Sequence, residues 1–267
     1  MPFTFSHPAA VIPIAKMTNY RLPIIALSLG SCSPDFGYYT NEWIYAARSH
    51  DFLYSLLYML PACLLLIAII SLFKKEIIIL SPKYVKVMAE QHIPTFSVPK
   101  LQTVFLTILA IIIGIYSHII WDSFTHNPDK FKPWWPYIGQ EVHILSIDIK
   151  IYKLLQHFST ILGMAVILLF LLKGVIKQKK SQKQNILNIE LQNNDKWVIA
   201  YWVTLFLVCG LISIVQYGLT FEYLLQEIPH FLFQNAVTGG RYFFIGLLST
   251  LIVIKLFRAS TSTFLSQ

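Results

Sequence analysis

Five long apolar runs, near 52–73, 101–120, 158–176, 197–217 and 242–257, alternate with polar stretches along the chain. A helix rises about 1.5 Å per residue, so about 20 apolar residues cross a bilayer. The first four runs reach that length, and each predicts a spanning helix. The fifth, "YFFIGLLSTLIVIKLF", is shorter and needs Lys255 to reach the membrane surface along its apolar stem. A sixth piece, "LPIIALSLG" at 22–30, is too short to span and predicts an interfacial or re-entrant helix. The expected fold is all-α: a polytopic membrane helix bundle of about five transmembrane helices plus that N-terminal segment. Residues 1–176 form one membrane domain, 177–196 a basic linker and 197–267 a C-terminal membrane pair.

Composition agrees. The chain of 267 residues is 55% hydrophobic and 13% charged, with a mean hydropathy of +0.59. A soluble domain carries about 25% charged residues. The net charge of +8 is unevenly spread. Segments 1–51, 121–157 and 218–241 hold eight Lys and Arg against nine acidic residues, and the remainder holds thirteen against four. Short basic loops stay in the cytoplasm. That places "LFKKE", "KQKKSQK" and the C-terminus inside, and the N-terminus outside. The same bias accounts for the basic charge without a nucleic-acid partner. The N-terminus lacks the layout of a signal peptide and is expected to stay on the mature protein. Cys32, Cys63 and Cys209 make neither a disulfide framework nor a zinc-thiolate motif.

The candidate chemistry lies on the outer side. "SHIIWDSFTH" carries His118, Asp122 and His126 at successive steps of four, which a helix brings to one face. Pro128 ends that helix near His126. His50 precedes the first spanning helix and His157 the third. "TFSHPAAVIP" brings His7 at a helix start, and "GSCSPDF" brings Asp35 in a turn. Any one of these is more often an interfacial or turn residue. Seven ligand-type residues on one membrane face of a chain this poor in charge point to a metal site. Imidazole and carboxylate donors suit a divalent metal, zinc first. His143 lies in "EVHILSIDIKIY", which predicts an extended segment, and is left out of the site. Trp134, Trp135 and Tyr137 read as an aromatic belt, and His230 as a loop residue.

The blocks "MPFTFSHPAAVIPI", "GSCSPDF", "RSH", "HIIWDSFTH" and "YKLLQHFSTILG" resemble, in order, those of the bacterial membrane proteins called domain of unknown function 4184. That family is distantly similar to membrane-bound metal-dependent hydrolases, which share a Pro-Asp turn, a Ser-His element and a His-x-x-x-Asp helix. These in turn are similar to zinc-dependent phospholipase C. The counterparts here are Pro34-Asp35, Ser49-His50 and His118 with Asp122. The resemblance implies a metal hydrolase; the charge count puts its site near the outer face of the inner membrane, and that position favours a phospholipid or lipid-linked ester as substrate. Zinc would be held by His7, Asp35, His50, His118, Asp122, His126 and His157. Asp35 would accept the proton of the attacking water. Two other classes compete: a metal-binding or proton-coupled transporter, and a structural membrane protein.

Overall fold

A bilayer cannot satisfy free backbone N–H and C=O groups, so each long apolar run must close its hydrogen bonds within a helix. The computed structural model shows this outcome; it describes residues 3–127, 135–144, 147–184, 194–217 and 228–264. Five helices are long and apolar enough to cross a membrane: Phe52–Leu72, Leu101–Thr125, Ile151–Lys177, Lys196–Gln216 and Gln234–Thr261. The protein is therefore a helical membrane protein. Pro128, Trp134 and residues 185–193 of the basic linker lie outside the described residues.

In chain order the helices are α1 (Pro8–Met17), α2 (Ile24–Cys32), α3 (Phe36–Thr40), α4 (Trp43–Arg48), α5 (Phe52–Leu72), α6 (Lys74–Ile79) and α7 (Lys83–His92). They continue with α8 (Leu101–Thr125), α9 (Ile151–Gln184), α10 (Asn194–Tyr217) and α11 (Ile228–Phe264). Short 3-10 turns at Thr4–Ser6 and Ser33–Asp35 precede α1 and α3. Between α8 and α9, strands β1 (Glu141–Ile144) and β2 (Ile147–Lys150) pair antiparallel. This is the extended segment that the alternation predicts. The helices cluster into two compact units. One comprises Met1–Gly37, Trp43–Ile69 and Phe96–Lys177; the other comprises Tyr38–Glu42, Ile70–Thr95 and Gln178–Gln267.

In the first unit, α1 and α2 form a helical hairpin against α8 and α9. The Phe3 amide donates to Thr160 Oγ1 at 3.2 Å, Ser6 backs onto Gly163, and Lys16 Nζ lies 5.0 Å from the Phe170 ring. Along α1 the contacts thus descend α9 by ten residues, about 15 Å. The chain turns at 18–23, where Asn19 and Tyr20 take positive φ. It then climbs α8, with Leu27 and Gly30 against Gly114 and Ser31 against His118. Gly30 and Gly114 make this approach possible. A Cβ on Gly30 would lie 2.4 Å from Ile111 O, and one on Gly114 would lie 2.3 Å from Leu27 O. Membrane helices lack a hydrophobic force to drive them together and gain from close backbone packing of this kind. Val11, Ala15, Leu27, Cys63, Ile111 and Ile115 fill the seam and are fully buried. Lys16, near the end of α1, thus packs beside Phe170 in the second half of α9.

The second unit explains the fifth span. The sequence predicts a short run at 242–257, yet the spanning part of α11 covers Gln234–Thr261. Its polar start is tolerated because Ser213 of α10 donates to Asn235 O and shares a hydrogen bond with Asn235 Oδ1, at 3.0 and 2.9 Å. Lys255 has a partner at the end of another span. Its Nζ donates to Leu72 O at 2.9 Å, at the carbonyl end of α5. Arg258 pairs with the buried Glu76 at 2.9 Å. The three cysteines are free thiols, as expected.

Candidate metal centre

Four segments of the first unit converge at one end of α8. His7 stands between the first 3-10 turn and Pro8, which begins α1. Asp35 closes the second 3-10 turn, where Pro34 pre-sets the backbone. His50 lies in the turn between α4 and α5. His118 and Asp122 project from one face of α8, and His126 follows its last residue in extended conformation (φ −119°, ψ 164°). Two hydroxyls tie these pieces together. Thr4 Oγ1 donates to Asp35 Oδ2 at 2.6 Å, and Ser49 Oγ donates to Pro34 O at 2.5 Å. Asp122 and His118 are three and seven residues from the end of α8, about 5 and 10 Å inward. The cluster is sunk into the helix bundle, deeper than the helix ends themselves.

Three donor atoms form a nearly equilateral triangle. His118 Nε2 is 3.2 Å from Asp122 Oδ2, His50 Nε2 is 3.3 Å from the same oxygen, and the two nitrogens are 3.3 Å apart. Bonds of about 2.0–2.1 Å put the donors of a tetrahedral zinc about 3.3–3.4 Å apart. The triangle therefore has the size of one tetrahedral face. Asp35 Oδ1 stands 3.6 Å from His50 Nε2 and 3.7 Å from His118 Nε2. His126 Nδ1 is 3.5 Å from Asp122 Oδ2, and His7 Nε2 is 3.6 Å from Asp122 Oδ1. The His7 ring stacks on His118, with centroids 3.8 Å apart. Two triads, His7/Asp35/His118 and His50/His118/Asp122, have ligand atoms close enough for a shared ion.

The His118 tautomer follows from its neighbour. Nδ1 lies 2.7 Å from Ser31 O, which can only accept, so Nδ1 carries the proton and Nε2 offers a lone pair to the cluster. This is the outer hydrogen bond that metal-bound imidazoles need.

Five polar atoms here are buried without a hydrogen-bond partner: His7 Nδ1 and Nε2, Asp35 Oδ1 and both oxygens of Asp122. No Lys or Arg pairs with Asp35 or Asp122 among the described residues. Two buried carboxyl groups without a Lys or Arg partner are costly unless something positive joins them. Burial drives the pKa of His7 well below its ordinary value, and the His118 ring beside it adds to the effect. Burial likewise pushes His126 down to about 4. Both stay neutral at pH 7, the form in which imidazole binds metal. Burial raises the pKa of Asp35, and the neighbouring His118 opposes that shift.

Six of the seven residues predicted from sequence thus meet: His7, Asp35, His50, His118, Asp122 and His126. His157 is not brought to them and is exposed. The sequence suggested that it opens the third spanning helix, but α9 begins at Ile151. The face of α9 turned to the N-terminal segment carries Ser159 and Gly163, both buried. His157, two residues before Ser159, is rotated about 200° away. His143 pairs across the β-hairpin with Asp148 at 2.8 Å and stays outside the site, as expected. His230 falls in the first turn of α11, and its side chain is outside the described ones. Trp135 packs on Phe124 near the end of α8, in keeping with an aromatic belt. Thr4 and the Ser31 carbonyl escaped the sequence reading. A hydroxyl three residues before His7 was the available signal for Thr4, whereas a backbone carbonyl gives none.

The family model described as Domain of unknown function (DUF4184) matches residues 1–252. No curated protein and no solved structure matches the chain.

Proposed function

The chain belongs to the DUF4184 family, whose description carries no activity, and from the site itself we propose a membrane-embedded, metal-dependent hydrolase. The observation that carries this reading is the triangle of His50 Nε2, His118 Nε2 and Asp122 Oδ2, with edges of 3.2–3.3 Å. Three protein donors with one position left for water are the pattern of catalytic zinc sites. The two triads share His118, and its single free lone pair serves one ion. We therefore assign one divalent ion, zinc first, to His50, His118 and Asp122, with His7 and His126 flanking it. Once bound, the metal would lower the pKa of a water toward about 7 and polarise the scissile ester.

The remaining work falls to the protein. Ser31 holds the His118 tautomer. Thr4 occupies Asp35 Oδ2 and leaves Oδ1 facing the triangle. Asp35 Oδ1 accepts the proton of the attacking water, a role that its raised pKa favours. Location supports the substrate class. The cluster sits about 5–10 Å inside one end of α8, at the depth of a lipid's ester and phosphate. Charge asymmetry supports reading that end as the outer face of an inner membrane, and with it a phospholipid or lipid-linked phosphoester as the proposed substrate. A transport path draws no comparable support. From Leu101 to Ser117, α8 carries no Asp, Glu, His, Lys or Arg to continue the site across the membrane.

Elemental analysis of detergent-purified protein tests the metal. About one equivalent per chain is expected, lowered at least about tenfold by His118→Ala or Asp122→Ala. His92→Ala and His143→Ala should keep it. Metal-free parent protein would leave a structural His–Asp network instead. The hydrolase reading then requires chelator-sensitive release of product from phospholipid, and its absence in a metal-loaded protein refutes that step.

A further inference from the structure

One cation beside the site is held in an unusual way. Arg48 is the last residue of α4, immediately before Ser49 and His50. Its Nη1 donates to Tyr54 OH at 3.3 Å, and the guanidinium lies 5.5 Å from the centre of the Tyr54 ring. Tyr54 in turn stacks on Tyr58, with centroids 4.2 Å apart. No carboxylate pairs with Arg48 among the described residues, and the side chain is exposed. A guanidinium has five N–H donors, and one is engaged here. Arg258, Arg241 and Lys255, by contrast, are engaged by Glu76, Tyr39 O and Leu72 O.

The place of Arg48 matters as much as its freedom. Among the clustered side chains, His50 and His126 keep 6% and 15% of their surface exposed, against 0–1% for His7, Asp35, His118 and Asp122. What little surface the cluster exposes thus lies at His50 and His126, and Arg48 is two residues from His50. We infer that Arg48, braced by Tyr54 and Tyr58, is the docking point for the phosphate of an anionic ligand at the mouth of the site. Planar N–H pairs match phosphate oxygens two at a time, and an aromatic brace reduces the freedom lost on binding. Its level, just before the first residue of α5, is the membrane interface, where lipid phosphates lie. The inference deepens the hydrolase reading by naming the headgroup that the enzyme grips, and it rests on that reading only for its function.

The test uses full-length protein in nanodiscs of phosphatidylcholine with or without phosphatidylglycerol. Native mass spectrometry reads retained lipid, and elemental analysis reads metal on the same samples. Parent protein should retain phosphatidylglycerol. Arg48→Gln should lower retention by about tenfold, the scale of a lost charge-assisted pair. Arg48→Lys should fall between, because it keeps the charge and loses the fork. Metal content should be equal in all three. Displacement of the retained lipid by inorganic phosphate would show that the phosphate alone is recognised. Resistance would assign the site to the whole lipid. Equal lipid retention by parent and Arg48→Gln overturns the inference even if metal is present. Arg48-dependent retention in a metal-free parent would uphold it and refute the hydrolase.

Discussion

Replacing Gly114 by alanine should cripple the proposed metal centre without touching any of its proposed ligands. The new Cβ would lie 2.3 Å from Leu27 O, 2.8 Å from Ser31 N and 2.9 Å from Gly30 Cα. All three are backbone atoms of α2, so no side chain can swing away. Ordinary contact at about 3.5 Å requires α2 and α8 to part by about 1 Å. Ser31 travels with α2, and its carbonyl is 2.7 Å from His118 Nδ1. A shift of about 1 Å takes that bond beyond the hydrogen-bond limit of about 3.5 Å. Losing such an outer partner costs about 10–100-fold in metal affinity, and overpacking adds about 1–3 kcal/mol of instability. Gly30→Ala should act in the same direction, because its Cβ would meet Ile111 O at 2.4 Å. Gly210→Ala is the control: nothing lies within 4 Å of its Cβ, so its zinc affinity should match the parent. Zinc affinity is read by competition with a chromogenic chelator, on monodisperse protein whose thermal midpoint is recorded alongside. Parent-like zinc affinity in Gly114→Ala would refute the link from helix packing to the His118 tautomer.

Thr4→Val removes the hydroxyl that donates to Asp35 Oδ2; a hydrogen bond to a charged group contributes about 1.5–3 kcal/mol, so the thermal midpoint should fall, and an unchanged midpoint would show that Asp35 does not depend on Thr4. The metal-free protein should lose stability as pH falls from about 6.5 toward 4. Over that window the unfolded chain takes up a proton at His126 while the folded chain, with His126 at about 4, does not. The slope is up to about 1.4 kcal/mol per pH unit for each such group. Midpoints measured with chelator present at pH 7.5 and 5 should differ, and by less in His126→Gln; an equal difference would clear His126. Reporter fusions at Gln267 and within 178–195 should register cytoplasm, and a periplasmic signal at either would reverse the orientation.

The spans were legible because apolar runs have little choice but helix in a bilayer, and the charge that flanks them is sorted by side. The site was legible for a related reason. Ionisable residues are expensive near a membrane, so His118 and Asp122 in an otherwise apolar helix stand out. The errors arose where tertiary contacts override local cues. His157 precedes an apolar run, but α9 starts at Ile151, almost two turns earlier, and turns that side chain away. Lys16 is only nine residues from His7 in sequence, yet the hairpin carries it down to Phe170 of α9. Asn235 looks too polar for a span until Ser213 is found beside it. The support from Ser31 O has no sequence signal, since every residue has a carbonyl.

The hairpin of α1 and α2 also orders the protein's assembly in time. It is made before the partners that fix it, which come much later. Ser31 and His118 are 87 residues apart, and Phe3 and Thr160 are 157 apart. At about 5–20 residues per second, about 4–17 s pass between synthesis of Ser31 and of His118. During that interval His7 and Asp35 have neither α8 nor α9 to pack against, and the loop closure that joins them comes only after α8 is inserted. The donor set is therefore incomplete in every nascent chain shorter than about 126 residues, whatever metal surrounds it. Metal capture by the proposed site would be a late event, and it would lock this hairpin into place only after α8 is made.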